Sequence, residues 1–317
     1  MALPVGARSR GGRLRAVEAP ARGRARAAPG VVTAAGRLVL VATPIGNLGD
    51  LSPRAAAALA GASLVCCEDT RRTRQLLSHG GITGRRLLSV HGHNEQARIA
   101  EVVGELRAGR TVALVSDAGT PGVSDPGTRL VAAAAAAGIE VTVVPGPNAA
   151  LAALVVSGLP TDRFCFEGFL PRWGADRRRR LEQIAEERRT VLLHEAAPRL
   201  ADTLAALAES CGADRRVVVA RELTKLHEEL WRGTLGEAAG EFAAREPRGE
   251  IVVVLDGAPA PPEADDDSVR RQVRARLEAG QTLRDAAASV AASLGVSRRR
   301  AYELGLAEAG TARNGGD

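Results

Sequence analysis

The sequence lacks several features that whole classes of protein require. No run of 18 apolar residues occurs in its 317 residues, so we predict no membrane-spanning helix. Its four cysteines form no CxxC pair, which argues against a zinc site or a disulfide framework and favours a reducing compartment, the cytoplasm. Aromatic residues make up 2% of the chain and lysine occurs once, at Lys225, so extensive stacking on nucleic-acid bases is not expected.

Common catalytic signatures are missing as well. The chain has no G-x-x-x-x-G-K-[ST], no G-x-G-x-x-G after its first predicted strand and no G-x-S-x-G. His91 and His93 lie two residues apart in "HGHNE" (91–95), but the sequence identifies no third ligand for a metal ion. We therefore predict no metal site, and the missing signatures argue against the P-loop, dinucleotide-binding and hydrolase classes.

The net charge of +6 lies entirely in the first 36 residues, which hold seven arginines and one glutamate. The remaining chain is formally neutral and does not have the charge of a general nucleic-acid binder, although arginines cluster at 71–74, 172–180 and 298–300. Residues 1–36 have no apolar periodicity, so we predict a disordered, Arg-rich extension. A transit peptide, an RNA-binding arm and a segment outside the functional protein remain open interpretations of it.

The order of predicted elements indicates an α/β protein. Residues 37–158 alternate strand and helix in five units, which predicts a mostly parallel, doubly wound sheet. Residues 159–257 contain five further strands and three helices, a second α/β domain with a mixed sheet. Residues 258–267 form a Pro- and Asp-rich linker, and 268–310 form three short helices with a helix-turn-helix pattern.

Four loops of the first domain follow strand ends and are rich in glycine, proline and polar residues. They are "TPIGNLGD" (43–50), "EDTRRTR" (68–74), "SDAGTPGVSDPG" (116–127) and "PGPNAA" (145–150). Strand ends of a parallel sheet open at one edge, where ligands bind in such folds. Glycines there permit close approach of the backbone to a ligand. We predict that these loops build one cleft.

These loops belong to a series of segments that resembles a known family. The series is "LVLVATPIGNLGDLSPRA", "CEDTRRTRQLL", "HGHNE", "LVSDAGTPGVSDPG", "VPGPNAALAALVVSGLP", "FCFEGFLPR" and "VARELTKLHEELWRGTL". In this order it is similar to the ribosomal RNA 2′-O-methyltransferases of the tetrapyrrole methylase superfamily, over about residues 37–310. The chain departs from the family pattern at Gly92, where aspartate is usual, and at His194, where tyrosine is frequent.

The resemblance implies a cofactor, a reaction and a site. S-adenosylmethionine would lie folded in the cleft between the two α/β domains, and the methyl group would go to the 2′-hydroxyl of a cytidine in 16S ribosomal RNA. The cofactor residues that it implies are Pro44, Gly46, Asn47, Asp117, Gly119, Thr120, Pro121, Val123, Pro147, Asn148 and Ala150. Segments 192–195, 220–222 and 249–254 of the second domain would complete the pocket. The resemblance also implies a homodimer.

A base for the hydroxyl proton is expected among the carboxylates near the predicted cleft. Glu68 and Asp69 are favoured because they follow a strand end, and Asp125 and Glu167 are further candidates. A structural interpretation competes with this one, in which Asp69 caps the next helix and Glu68 pairs with Arg71.

Contacts with ribosomal RNA, or with the small subunit as a particle, are predicted for a third group of residues. They are Arg71, Arg72, His93, Asn94, Arg298, Arg299 and Arg300. A 2′-hydroxyl target means RNA and not DNA. A small-molecule methyltransferase acting on a tetrapyrrole and a non-enzymatic RNA-binding assembly factor remain as alternatives.

Overall fold

The computed structural model describes residues 36–245, 247–260 and 264–314, with side chains described as far as residue 307. The predicted extension, apart from residue 36, and part of the predicted linker lie outside the described residues. Within these ranges, no helix has both the length and the apolar character that crossing a membrane would require. The exact domain boundaries stay predictions.

The first domain is a five-stranded sheet with helices on both faces. Its elements are β1 (Arg37–Val41), α1 (Pro53–Gly61), β2 (Leu64–Cys67), α2 (Thr70–His79), β3 (Arg86–Ser89), α3 (Glu95–Arg107), β4 (Thr111–Leu114), α4 (Thr128–Ala136), β5 (Glu140–Val144) and α5 (Ala149–Ser157). The strand order is β3-β2-β4-β1-β5, and every neighbouring pair is parallel. The predicted doubly wound sheet is confirmed.

Polar caps explain where the helices of this domain begin. Ser52 accepts a hydrogen bond from Ala55 N at 3.1 Å, with Pro53 in the first helical position of α1. Asp69 caps α2 and Asn148 caps α5 in the same way. Asp69 and Asn148 lie within the segments 68–74 and 145–150, whose remaining residues begin α2 and α5, and Ser52 follows the segment 43–50.

The second domain is a mixed sheet. Its elements are β6 (Phe164–Phe169), α6 (Gly174–Glu186), β7 (Thr190–Ala196), α7 (Leu200–Cys211), β8 (Arg216–Arg221), β9 (Glu229–Thr234), α8 (Leu235–Ala243) and β10 (Glu250–Leu255). The order is β6-β7-β10-β8-β9; β6 and β7 are parallel and the other pairs are antiparallel. This is the mixed sheet that the sequence predicts.

Helix α5 connects the two sheets. Its Ala150, Ala153 and Leu154 pack in one buried cluster with Leu192 and Val252 of the second sheet. The opposite face of the second sheet packs on α6, α7 and α8 in a separate core. One domain therefore rests on the other through α5, and the strand-end loops of the first sheet face the second domain.

The C-terminal helices form a unit with its own core. They are α9 (Asp266–Glu278), α10 (Leu283–Leu294) and α11 (Arg298–Asn314). Val269, Val273 and Val290 are fully buried between them. Gly295, in the left-handed conformation with φ +67°, ends α10 and turns the chain into α11. Three helices joined in this way match the predicted pattern.

Candidate active site

The loop after β4, residues 116–127, is the centre of the site, and we call it the central loop. Gly119 lies in the left-handed region, with φ +83°. Its N–H donates to Thr43 O at 3.1 Å, and Thr43 N donates back to Gly119 O at 2.9 Å. This pair of bonds fixes the central loop against the end of β1.

Side chains fix the central loop to its other neighbours. Asp117 Oδ1 accepts from Asp69 N at 2.9 Å, and Thr120 Oγ1 donates to Pro147 O at 3.2 Å. At its far end, Glu95 Oε1 accepts from the N–H groups of Gly127 and Leu130 at 3.1 and 3.0 Å. The four strand-end loops thus meet as predicted, and Glu95, which the sequence did not single out, caps α4 from a neighbouring helix.

A cavity of about 690 Å³ lies between the central loop and the second domain. From the first domain its lining includes Ile45, Glu68, Arg72, Asp117, Ala118, Gly119, Thr120, Val123, Ser124, Asp125, Asn148 and Ala149. From the second domain it includes Phe169, His194–Pro198, Ala220, Leu223 and 247–252. Its volume is typical of sites for small molecules and cofactors.

The predicted cofactor residues divide into three groups around this cavity. Asp117, Gly119, Thr120, Val123 and Asn148 line it. Pro44 and Gly46 line a second cavity of about 310 Å³ instead. The remaining four line neither cavity and are Asn47, Pro121, Pro147 and Ala150. The structure therefore brings together the central loop and the α5 cap, and places the β1 loop to one side.

The two cavities adjoin. They share lining residues in both domains, namely Ile45, Arg72, Asp117, Ala118 and Glu250. Arg72 Nη1 lies 3.6 Å from Asp117 Oδ2 within this shared wall, and the Arg72 side chain is largely exposed. A ligand in the larger cavity and one in the smaller would meet at this wall.

Gly46 lets the loop after β1 approach the second domain closely. A Cβ atom at this position would collide with the side chain of Lys225, which belongs to the turn after β8. Beside it, Asn47 N donates to Thr224 Oγ1 at 3.1 Å. Lys225 Nζ donates in turn to Glu222 Oε1 at 2.8 Å and to Glu250 Oε2 at 3.1 Å. The close backbone approach predicted for Gly46 is present, but its partner is the second domain.

Backbone strain gathers at the same place. Among the described residues, three that are not glycine have positive φ: Ser124 at +61°, Glu222 at +52° and Thr224 at +67°. Such conformations cost about 1–3 kcal/mol each and persist where surrounding contacts enforce them. Ser124 lines the larger cavity, and Glu222 and Thr224 flank Leu223, which also lines it.

Two carboxyl groups in the larger cavity have raised pKa values. Burial raises the pKa of Asp125 from 3.8 to about 6. Burial also raises the pKa of Glu68, and the charge of Asp117 raises it further. Both groups therefore hold a proton more readily than an exposed carboxyl.

The other two candidate bases have structural partners. Asp69 Oδ1 accepts from Arg71 N at 2.7 Å and caps α2, as the competing interpretation predicts. Glu167 pairs with Arg180. Neither residue is in the lining of the cavity. No Glu68–Arg71 ion pair occurs within the described part of the chain, so Glu68 stays a candidate and Asp125 joins it.

His194 lines the larger cavity from the second domain, and one of its ring nitrogens has no hydrogen-bond partner among the described residues. Its Nε2 is buried and unpartnered among the described residues. The ring makes edge contacts with Phe166 and Phe169, at centroid distances of 5.0 and 5.4 Å. Burial lowers the pKa of His194, so the ring is neutral at pH 7.

The predicted RNA-binding residues occupy different settings. Arg71 and His93 are exposed, whereas Asn94 is used locally: its Oδ1 accepts from His91 N at 2.8 Å and its Nδ2 donates to Ser89 O at 3.2 Å. His91 and His93 belong to no group of three possible metal ligands in the described ranges. Arg71 and His93 therefore have exposed side chains, as does Arg72, which lies beside Asp117.

The arginines that begin α11 are not equivalent. Arg298 and Arg299 line a surface hollow with Arg284, Tyr302 and Glu303, and Arg299 Nε pairs with Glu303 Oε1 at 2.8 Å across one turn of α11. Arg300 instead bonds Asp266 Oδ1 at 2.7 Å and Ala264 O at 3.1 Å. Arg300 therefore ties α11 to the start of α9, and the outward-facing basic surface consists of Arg284, Arg298 and Arg299.

The two α/β domains around the cleft match a known family of methylases. Residues 37–239 match the model of the tetrapyrrole (corrin/porphyrin) methylases, and the chain belongs to this family. The X-ray structure of cobalt precorrin-4 methyltransferase, a cobalamin biosynthetic enzyme, has the same fold, with TM-score 0.54, 16% identity and coverage of 73% of this chain and 100% of that one. Uroporphyrin-III C-methyltransferase from Thermus thermophilus, complexed with S-adenosylhomocysteine, gives TM-score 0.50 and 20% identity over 69% and 96%.

The curated relatives with the same family fold share one name. The ribosomal RNA small subunit methyltransferase I of Synechocystis is 46% identical over 273 residues, covering 86% of this chain and 98% of the relative. That of Mycobacterium tuberculosis strain CDC 1551 is 48% identical over 273 residues, covering 86% and 95%. The family resemblance predicted from the sequence is confirmed.

Proposed function

We propose that the protein transfers the methyl group of S-adenosylmethionine to the 2′-hydroxyl of a cytidine in small-subunit ribosomal RNA. The observation that carries this proposal is the pair of adjoining cavities at the central loop, one with the volume of a cofactor site and one smaller. Near full-length relatives named as small-subunit ribosomal RNA methyltransferases support the choice of substrate.

The larger cavity has the chemistry that S-adenosylmethionine needs. This cofactor supplies an electrophilic methyl group on a positively charged sulfur, and it also carries an ammonium group. The described lining contains five carboxyl side chains, those of Glu68, Asp117, Asp125, Glu195 and Glu250. Three of them are paired with a basic side chain, Asp117 with Arg72, Glu195 with Arg199 and Glu250 with Lys225, which leaves Glu68 and Asp125 against the guanidinium group of Arg248. An excess of negative charge favours a cationic ligand. Apolar side chains such as Ile45, Leu223 and Val252 offer a surface for the adenine ring.

The smaller cavity is suited to the nucleotide that receives the methyl group. Arg72, in the shared wall, is placed to bind a phosphate, and the carboxylates of the larger cavity are placed to accept the hydroxyl proton. Holding the two ligands on either side of one wall brings the oxygen and the methyl group together, and such positioning contributes several kcal/mol to a reaction. Glu68 and Asp125 are the proposed bases.

The direct test is incubation of the protein with labelled S-adenosylmethionine and small ribosomal subunits, with naked 16S RNA and a tetrapyrrole in parallel. We expect label in the RNA, at the 2′-oxygen of one cytidine. Label in the tetrapyrrole alone would identify a small-molecule methyltransferase. Binding to subunits without any transfer would identify an assembly factor. The parallel samples also show whether the particle or the free RNA is the substrate.

The basic hollow of the C-terminal unit is proposed to hold RNA phosphates. We expect the double variant Arg298→Ala/Arg299→Ala to bind RNA more weakly and to reduce the slope of log affinity against log salt by about 1.5, since each lost phosphate contact removes roughly 0.7–0.9. Affinity for S-adenosylmethionine should not change. Arg300→Ala is the matched control, because it removes the bonds to Asp266 and Ala264 and should lower the unfolding temperature of the unit instead. An unchanged salt slope in the double variant would exclude this role.

A homodimer is proposed from an uncovered apolar face on α5. Leu151, Val155 and Val156 are exposed there, Val155 to 71%. Contiguous apolar surface of this kind marks an interaction site more often than isolated residues do. Light scattering at micromolar concentration should give twice the chain mass of 32.9 kDa, and Val155→Glu should return it to the monomer value. A wild-type monomer would contradict the proposal.

A ribosomal substrate also implies a cytoplasmic enzyme.

A further inference from the structure

The few aromatic side chains of this protein are unevenly placed. The chain contains four Phe, two Trp and one Tyr. Trp231 and Phe242 pack on each other in the second domain, at 5.8 Å between ring centroids. The exposed aromatics are Phe164 (39%), Phe169 (53%), Trp173 (76%) and Tyr302 (42%). Three of these four lie within residues 164–173, which we call the aromatic lip.

The aromatic lip borders the proposed cofactor cavity. Its residue Phe169 ends β6 and lines that cavity. Gly168, with φ +61°, lies so close to the central loop that a Cβ atom there would be 3.4 Å from Ser124 Oγ. Trp173 follows four residues later, directly before α6. Because four residues span at most about 14 Å, Trp173 lies within that distance of Phe169, close enough for one RNA strand to contact both rings.

The exposure of Trp173 does not come from a loose loop. Arg199 Nη2 donates to Leu170 O at 2.9 Å, and Arg177 Nη1 donates to Pro171 O at 3.1 Å. Both arginines are anchored to the buried Glu195, Arg199 directly at 3.4 Å and Arg177 through Thr203. The backbone before Trp173 is thus held at two successive carbonyls, and the indole ring is presented to solvent by a fixed segment.

Unpaired positive charge flanks Trp173 along the chain. Arg172 and Arg178 are exposed and form no ion pair among the described residues. Their neighbours Arg179 and Arg180 are neutralised by Asp176 and Glu167. Aromatic faces next to free guanidinium groups suit single-stranded nucleic acid, whose bases stack and whose phosphates pair. Two copies of this surface would repel each other, which argues against a second chain as the occupant.

We propose that Phe169 and Trp173 form a stacking platform for unpaired RNA bases next to the target nucleotide, with Arg172 and Arg178 binding the adjacent phosphates. This inference rests on the proposed RNA substrate and adds the part of the protein that positions the strand. Extensive stacking was not expected from so few aromatic residues, but a platform needs only one or two when they stand at the mouth of the site.

A pair of substitutions at Trp173 separates stacking from other apolar contacts. Trp173→Phe keeps an aromatic face, whereas Trp173→Leu keeps only apolar bulk. We expect Trp173→Leu to raise the KM for RNA roughly tenfold and Trp173→Phe to raise it much less. The KM for S-adenosylmethionine should stay at the wild-type value in both. Equal KM values for RNA in the wild type and Trp173→Leu would overturn the platform.

Fluorescence tests the platform without relying on turnover. In a Trp231→Phe variant, Trp173 is the only indole left in the chain. A single-stranded RNA oligonucleotide should quench its emission, and a duplex of the same sequence should not. Absence of quenching would refute the stacking, even if the wild type proves inactive on ribosomal RNA. A change in light-scattering mass for Trp173→Leu would instead identify a contact between copies of the chain.

Discussion

Replacement of Gly119 by valine is expected to abolish the binding of S-adenosylmethionine while the protein remains folded. Gly119 has φ +83°, which a β-branched residue adopts only with strain of about 1–3 kcal/mol. A Cβ atom there would lie 3.3 Å from Ile45 Cγ2 and 3.5 Å from Pro147 O. Valine therefore has to displace either Ile45, which lines the larger cavity, or the central loop itself. Titration calorimetry measures the loss.

Gly138 provides the matched control for this substitution. It also has positive φ, +70°, but no atom lies within 4 Å of a Cβ at that position, in the turn between α4 and β5. Gly138→Val should cost similar backbone strain and keep full cofactor affinity. Circular dichroism checks that both variants are folded. If a folded Gly119→Val protein bound S-adenosylmethionine normally, the central loop would not be the cofactor site.

Gly46→Val is expected to weaken cofactor binding for a different reason. The sequence alone suggests that a side chain here enters the cofactor space. The structure shows that it would meet Lys225 and displace the turn that joins the domains. Loss of affinity in this variant should therefore come with a lower unfolding temperature.

The second large effect is expected when one of the two carboxyl groups with a raised pKa, Glu68 or Asp125, is replaced by its amide. Glu68→Gln and Asp125→Asn should each spare most of the cofactor affinity, and the one that removes the base should lower turnover by about 10²–10⁴-fold. Asp69→Asn is the control, because asparagine caps a helix as well as aspartate does and Asp69 does not line the cavity. If Asp69→Asn alone lost activity, the base would have to be sought at the start of α2.

The pH dependence of turnover identifies which carboxylate acts. A base must be ionised, and burial raises the pKa of Asp125 to about 6. Activity that depends on Asp125 should therefore rise as the pH goes from 5 to 7, since the proton leaves over that range. In Asp125→Asn this rise should disappear. A rise that persists in Asp125→Asn and disappears in Glu68→Gln would assign the base to Glu68.

Patterns among residues close together in the sequence were enough to predict much of this fold. Strand and helix alternation predicted both sheets. These features depend on residues close together in the chain, such as Ser52 before Pro53. The four loops could be placed together because parallel strands end at one edge of a sheet.

The features of the site that the sequence did not predict depend on contacts between residues far apart in the chain. Glu95 caps a helix that begins more than 30 residues later, and no local signal marks it. The raised pKa of Asp125 comes from burial in the folded protein, which the residues around it in the sequence do not reveal. Gly46 and Lys225 approach each other across the domain contact, so the sequence could show that Gly46 needs space but not what fills it.

The single lysine of the chain occupies a position where arginine does not fit. Of 43 basic side chains, all but Lys225 are arginine. At Lys225 a thin, flexible stem passes against the backbone of Gly46 and ends in a compact ammonium group between two carboxylates. A planar guanidinium is wider and needs a fixed fork of acceptors, so arginine does not fit this passage as lysine does. A chain that uses arginine at every other basic position thus has lysine where its two domains meet, and an amine-reactive reagent would modify that joint alone among the side chains.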